Sequence, residues 1–362
     1  MILNFSFSTF VFLANCWFIY GVFPRSLAVG TTEAIAQRGF AGTESPVGYG
    51  VTAGGQGGKV FRVSTEDGLK TALSVTEKKI VFITGPIAIS SKSLSVPSHT
   101  SLIGQGKSAV LSGHGFLIKS VSNVIIQNLK ISKVPKNDGI TLQNATRVWI
   151  DHNEFESIFH SEFCISDPKS KRCRDEPDVF DGQIDIVRAS DQITVSWNYL
   201  HDHYKSSLVG NAPDLQKVDA GHLRVTYHHN FWKHEGTRGP AGRFGHQHVY
   251  NNLYEDFEFQ AIHSRSGNQV LVEANVFRGK CTEALSTVGL VIPLDSPNSS
   301  VDGDAEADGF ANLGAANDWG KCKVKITKEG TFTSVPYKYE MTPLQELEKV
   351  VKAGAGIGKL MV

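Results

Sequence analysis

The sequence predicts an all-β solenoid in which short parallel strands stack coil upon coil, with a short N-terminal capping helix and a C-terminal extension. Three observations predict it. Asparagine recurs at Asn153, Asn198, Asn230, Asn252 and Asn275, and two residues after each stands a large apolar side chain: Phe155, Leu200, Trp232, Tyr254 or Phe277. Three residues before each asparagine stands Ile150, Val195, Tyr227, Val249 or Val272. The asparagine intervals are 45, 32, 22 and 23, and a basic period of 22 to 24 is too short for a propeller blade but suits one turn of a parallel β-helix. Coils of such a helix stack at about 4.8 Å, so equal positions align and asparagines can form a hydrogen-bonded ladder. A β-sandwich of many short strands is the competing architecture, but it gives asparagine no reason to recur in phase.

The elements follow in chain order. Met1 to Phe23 is almost wholly apolar and uncharged, and Arg25 and Ser26-Leu27-Ala28 follow it. This reads as a secretory signal cleaved after Ala28, leaving residues 29–362 as a single extracellular domain, with a retained membrane anchor or a misassigned start codon as the alternatives. Ser64 with Asp67 resembles a capping box ahead of Leu69, Ala72 and Leu73, a helix suited to closing the apolar end of a solenoid. In the strand Val124 to Ile131, Leu129 takes the asparagine position, one period before Asn153. The two long intervals mark insertions over Ile158–Phe180 and Ser206–Gly221, both expected on the side of the charged motifs. Cys281 to Tyr339 shows little periodicity and is expected outside the coils. Thr342-Pro343 opens a second helix carrying Leu344, Leu347, Val350 and Val351, which is expected to help close the solenoid.

Composition bounds the partners. Formal net charge is +0, so no global field attracts a polyanion and nucleic acid is not an expected partner. Nothing in the sequence requires more than a monomer. Removing the leader discards Cys16 and leaves Cys164, Cys173, Cys281 and Cys322. Three pairings are open, and locality favours Cys164 with Cys173 and Cys281 with Cys322. Zinc is the competing use of these cysteines, but no metal spacing accompanies them. Asn144-Ala145-Thr146 and Asn298-Ser299-Ser300 are glycosylation sequons.

Asp151 ends the Val148-Trp149-Ile150 strand, while Asp181 and Asp185 stand four apart on the next repeat, on one face of an extended chain. One aspartate alone is most often a solvated charge or a turn residue. Three on consecutive repeats are expected to converge, and clustered carboxylates with all-oxygen ligation select calcium or magnesium over zinc, with calcium the better fit to a loose site that shares ligands with a bound molecule. Lys205, Arg238 and Arg243 follow on adjacent coils and can grip a polyanion. The run Asp302, Asp304, Glu306 and Asp308 lacks the EF-hand glycine and its final glutamate, and reads as a solvated loop. His201, His203, His228 and His229 read as coil-surface histidines rather than a zinc site. No nucleophile elbow, metalloprotease helix or Walker loop is present in the sequence.

Four strings carry a resemblance when taken in order: Trp149-Ile150-Asp151-His152, Asp181-Gly182-Gln183-Ile184-Asp185, His201-Asp202-His203-Tyr204-Lys205 and Arg238-Gly239-Pro240-Ala241-Gly242-Arg243. With Thr194-Val195-Ser196-Trp197-Asn198 and His248-Val249-Tyr250-Asn251-Asn252, the chain resembles the secreted pectate lyases of polysaccharide lyase family one over about Gly50 to Gly279. The resemblance implies a right-handed, single-stranded parallel β-helix and calcium-dependent β-elimination of polygalacturonate. It carries calcium onto Asp151, Asp181 and Asp185, the catalytic base onto Arg238, and substrate binding onto Lys205 and Arg243. Two departures, Ala241 for an arginine and Tyr204 for an aspartate, bear on subsite affinity. An arginine base requires neighbouring cations that disfavour a further positive charge, which implies a rate rising toward alkaline pH. A pectin lyase acting on methylated pectin, a non-catalytic pectin-binding β-helix and a hydrolase with paired carboxylates are the alternatives at this stage.

Overall fold

The computed structural model describes residues 46–158, 180–296 and 299–360. The proposed leader, Cys164, Cys173 and Asn298 lie outside them. Among the described residues, one parallel sheet has ten strands running from Lys59–Val63 through Thr146–Asp151, Asp191–Ser196, Arg224–His228 and His246–Tyr250 to Phe310–Leu313. A fifteen-stranded sheet folds into two limbs that meet at the long strand Leu253–Arg265. One limb contains Glu154–Glu156, Tyr199–Lys205 and Phe231–Thr237, and the other contains Ile140–Gln143, Ile184–Val187, Ser207–Val209 and Ala241–Arg243. Each coil therefore visits three faces before stepping to the next, and the protein is an all-β parallel β-helix.

The repeat works as its spacing implies. At the corner leaving the ten-stranded sheet, His152, Trp197, His229, Asn251 and Ala274 all have φ between 48° and 53° or at 55°, a left-handed bend that turns the chain sharply. The asparagine after each bend satisfies the backbone freed there. Asn198 Oδ1 accepts from Asn153 N at 2.9 Å and from Asn153 Nδ2 at 3.0 Å, and the same pair of bonds links Asn198 to Asn230, Asn230 to Asn252 and Asn252 to Asn275. Leu129 takes the next position, donating its N–H to Asn153 Oδ1 at 3.0 Å. Two residues on, Phe155, Leu200, Trp232, Tyr254 and Phe277 stack in register inside the coils and are fully buried.

Three expectations are corrected. The helix Glu66–Ser74 is capped by Thr65, whose Oγ1 accepts from Gly68 N at 3.2 Å, not by Ser64. It does bury Leu69, Ala72 and Leu73 over the first coil. The helix Leu344–Gly354 lies along the side rather than at an end, setting Leu347 and Val351 on Leu253 and Val276. The reason is strand alternation: Phe231, Leu253 and Val276 precede the inward aromatics and face out, so an apolar stripe on that face needs a cover. Finally, the segment after Cys281 is not wholly external. Phe310–Leu313 supplies the last strand of the ten-stranded sheet, and Asn317 Oδ1 extends the ladder, accepting from Asn275 Nδ2 at 3.0 Å. Cys281 and Cys322 form a disulfide.

Candidate active site

The acidic group is built on the third face. Gly139 and Gly182 open successive strands there, and Gly139 N donates to Gly182 O at 2.9 Å. Asp138 precedes one glycine and Asp181 the other, so the two coils deliver one aspartate each to the same edge. Gly182 N donates to Asp138 Oδ1 at 3.0 Å, and Thr141 Oγ1 donates to Asp138 Oδ2 at 2.6 Å. Asp185 pairs in register with Thr141, and its Oδ1 accepts from Leu208 N at 3.3 Å. A Cβ on residue 182 would stand 2.2 Å from Asp185 Oδ1 and 3.2 Å from Asp138 Oδ1. The two carboxylates thus close over a backbone that only glycine leaves open.

Their charges are not compensated equally. Burial and the negative charge of Asp181 push the Asp138 carboxyl up to about 6. Burial, Asp138 and Asp181 push Asp185 well above the usual carboxylate range. For Asp181 burial acts upward too, but Lys205 outweighs it by charge and by a 2.9 Å bond from Nζ to Oδ1, and the net shift is downward. Arg238 adds to the field that favours ionised Asp181 and Asp185.

The cationic wall comes from the ends of consecutive strands. Lys205 pairs in register with Thr237, the residue before Arg238. Arg238 itself has a φ of 67°, which breaks the strand and turns its side chain off the coil. Its Nε donates to the Asp295 carbonyl at 3.2 Å. Arg243 is held bidentately by Glu306, with Nε and Nη2 at 2.8 and 2.6 Å, and its Nη1 donates to Gly210 O at 2.9 Å. Buried His203 donates from Nε2 to Lys205 O at 3.0 Å and meets Ser157 Oγ at 2.5 Å. Burial, helped by the Lys205 charge, lowers His203 to about 4, so it serves here as a neutral strut.

The structure brings Asp181, Asp185, Lys205 and Arg238 together, but it parts Asp151 from them. Asp151 ends a strand of the ten-stranded sheet, in register with Ser196, whereas Asp185 lies on the third face. Both Asp151 oxygens are used internally. Oδ1 accepts from Ser196 Oγ at 2.6 Å, while Oδ2 accepts from Gln127 Nε2 at 2.8 Å and meets His152 Nδ1 at 2.7 Å. The place expected for Asp151 is taken by Asp138, one face earlier in the same coil. A signal for it exists in the sequence: Asp138-Gly139-Ile140 and Asp181-Gly182-Gln183-Ile184 both put Asp-Gly before an isoleucine strand. Asp295 and Glu306 carried no such signal. Glu306, read as part of a solvated run, has a side chain only 5% exposed.

An all-oxygen group of crowded, partly uncompensated carboxylates suits a hard divalent cation. Among the described residues, the one group of three that places its ligand atoms within 4.8 Å of one another is instead Glu154, Glu156 and His201. There, however, Lys130 Nζ lies 2.7 Å from Glu154 and 2.9 Å from Glu156, so an internal ammonium meets that charge.

A family model described as pectate lyase matches residues 19–360. A pectate lyase A of Aspergillus niger is 35% identical over 341 residues, covering 92% of this chain and 94% of the relative. A probable pectate lyase A of Aspergillus fumigatus is 38% identical over 287 residues, covering 79% of this chain and 78% of the relative. Among solved structures, a pectate lyase of Bacillus sp. N165 in complex with trigalacturonate superposes with a TM-score of 0.68 at 27% identity, over 87% of this chain and 99% of that one. A Xanthomonas campestris pectate lyase variant gives 0.67 at 26% identity, over 87% and 99%. A fold of stacked coils, a carboxylate group beside lysine and arginine, and a match along nearly the whole length lead to one assignment: this chain belongs to the pectate lyase family, and is a polysaccharide lyase.

Proposed function

We propose that the enzyme cleaves de-esterified pectin, α-1,4-polygalacturonate, by calcium-assisted β-elimination to 4,5-unsaturated oligogalacturonates. The observation that carries this reading is the meeting of Asp138 and Asp185 over Gly182 beside Asp181, Lys205 and Arg238. Asp138, Asp181 and Asp185 are the proposed calcium ligands, with Asp138 in the role expected of Asp151. An ion held there would supply positive charge to offset the galacturonate carboxylate next to C5, which would favour loss of the C5 proton. Lys205 supplies positive charge for substrate carboxylates on leaving part of its pairing with Asp181, and Arg243 does so only on leaving Glu306. Arg238 in its neutral form, its Nε committed to Asp295 O, takes the C5 proton on an Nη nitrogen; the C4–C5 double bond forms as the C4–O bond breaks, and the leaving oxygen takes a proton from solvent. The ester of methylated pectin carries no charge for this site to neutralise, so the acidic polymer is the preferred substrate.

A cleaved leader over residues 1–28, the single domain over 29–362 and an extracellular location belong to the same proposal, and the apolar, uncharged run from Met1 to Phe23 ahead of Ser26-Leu27-Ala28 supports it. No helix among the described residues is long and apolar enough to cross a membrane. The test is ultraviolet absorbance of unsaturated product from polygalacturonate and from methylated pectin, each with calcium and with chelator. Absorbance on the acidic polymer that chelator abolishes is the expected result. Calcium-independent absorbance on methylated pectin, or new reducing ends without absorbance, would overturn it.

A further inference from the structure

We propose that Asp295 is a positioning residue for Arg238, acting through its backbone carbonyl while its carboxylate is anchored elsewhere. The inference rests on the reading of Arg238 as the base. Asp295 is 1% exposed, and the Arg238 Nε bond of 3.2 Å goes to its peptide oxygen rather than to its side chain. The carboxylate is occupied in another direction. Oδ1 accepts from Thr237 Oγ1 at 2.8 Å, Oδ2 accepts from Arg265 Nη1, and His263 Nδ1 lies 3.6 Å from Oδ2. Arg265 is itself 1% exposed, and its Nε stands 3.8 Å from Glu306, the partner of Arg243. The result is a buried run of alternating charge, Asp295, Arg265, Glu306, Arg243, that links the residue holding Arg238 to the other arginine of the site.

The arrangement fits the chemistry asked of Arg238. A direct carboxylate partner would hold its guanidinium charged, opposing its use as a base. A neutral carbonyl orients Nε without a direct ion pair, and Arg265 takes the larger share of the negative charge that the same residue carries, with His263 and Arg238 taking less. Burying an Asp–Arg pair is costly unless geometry repays it. Here the pair pins the Asp295 peptide from one side while Tyr204 Oη, donating to Leu294 O at 2.7 Å, pins it from the other. Thr237, the residue before Arg238, completes the tie. The same short segment is therefore tied both to the residue before the proposed base and to Tyr204 on the neighbouring coil.

The experiment compares kcat, KM and calcium affinity of the full chain on polygalacturonate at saturating calcium for Asp295→Ala, Thr237→Val, Arg265→Lys, Arg265→Met and Arg238→Lys, with thermal unfolding alongside. Asp295→Ala keeps the peptide carbonyl and removes only its anchor. Its kcat should fall roughly 10- to 100-fold, the range for lost outer-shell support, with KM and calcium affinity within about threefold of the parent. Thr237→Val should shift kcat the same way by less, and it reports independently if Asp295→Ala does not fold. Arg265→Lys should retain more kcat than Arg265→Met. Normal kcat in both Asp295→Ala and Thr237→Val overturns the proposal, as does a loss confined to KM or to calcium affinity. If Arg238→Lys is inactive while the Asp295 and Thr237 variants turn over normally, the base assignment stands and the positioning role fails. Turnover retained by Arg238→Lys overturns the base assignment and this proposal with it.

Discussion

Gly182 and Asp185 are packed so closely that the Cβ glycine lacks would fall 2.2 Å from Asp185 Oδ1. The contact joins backbone to the most strongly perturbed carboxylate of the site, and it makes residue 182 part of the acidic group although it has no side chain. Gly182→Ala should weaken calcium binding at least tenfold, because Asp185 must rotate away from Asp138. Isothermal titration of the calcium-free protein measures this, and affinity equal to the parent's would contradict the packing argument.

Asp138 and Asp151 can be told apart directly. Asp138→Asn should raise the calcium concentration needed for half-maximal turnover by more than tenfold. Asp151→Ala should leave that concentration unchanged but lower stability to urea, at about 1–3 kcal/mol for each of Ser196 Oγ and Gln127 Nε2 left without an acceptor. The reverse pattern would restore Asp151 to the metal site.

Asp138 also sets a pH dependence. A carboxyl held near 6 in the folded protein, against an ordinary 3.8, binds its proton more tightly when folded. Its protonation therefore favours the folded state at low pH, and that advantage is lost as pH rises through about 6. In chelator, the melting temperature of Asp138→Asn minus that of the parent should increase from pH 4 to pH 7. With calcium the parent should recover above pH 6, where the carboxylate is free to bind the ion. A difference flat with pH in chelator would refute the perturbed carboxyl.

Arg238→Lys should lose turnover by about 10²–10⁴-fold, the usual contribution of a positioned acid or base, while binding calcium with parental affinity. Kinetics on polygalacturonate and calorimetry on the same preparation test both halves. A variant that keeps turnover would exclude Arg238 as the base.

The ladder predicts a stability effect remote from chemistry. Asn230→Ala removes the acceptor for both Asn198 N and Asn198 Nδ2, at about 1–3 kcal/mol for each orphaned donor. Denaturation with urea should show the loss, and Leu129, which donates to the chain of rungs without continuing it, marks where the ladder ends.

The coil period, the inward aromatic column and the asparagine rungs were all legible in the sequence, since each is a local consequence of one strand and one left-handed bend repeated along the chain. So were Lys205, Arg238 and the Asp181/Asp185 pair, whose separation is short enough for the strand pattern to place them. Which third aspartate joins them was signalled only by the Asp-Gly that Asp138 shares with Asp181, too short a pattern to set against Asp151. Asp151 and Asp138 lie in the same coil, and only the order of the three faces decides that Asp138 reaches the site while Asp151 turns to Ser196 and Gln127. The burial of Asp295, Arg265 and Glu306 behind the arginines was equally hidden, because ion pairs between segments distant in sequence have no period to read. Local hydrogen bonding and side-chain alternation determined the coil; the stacking of faces in space decided which charges meet.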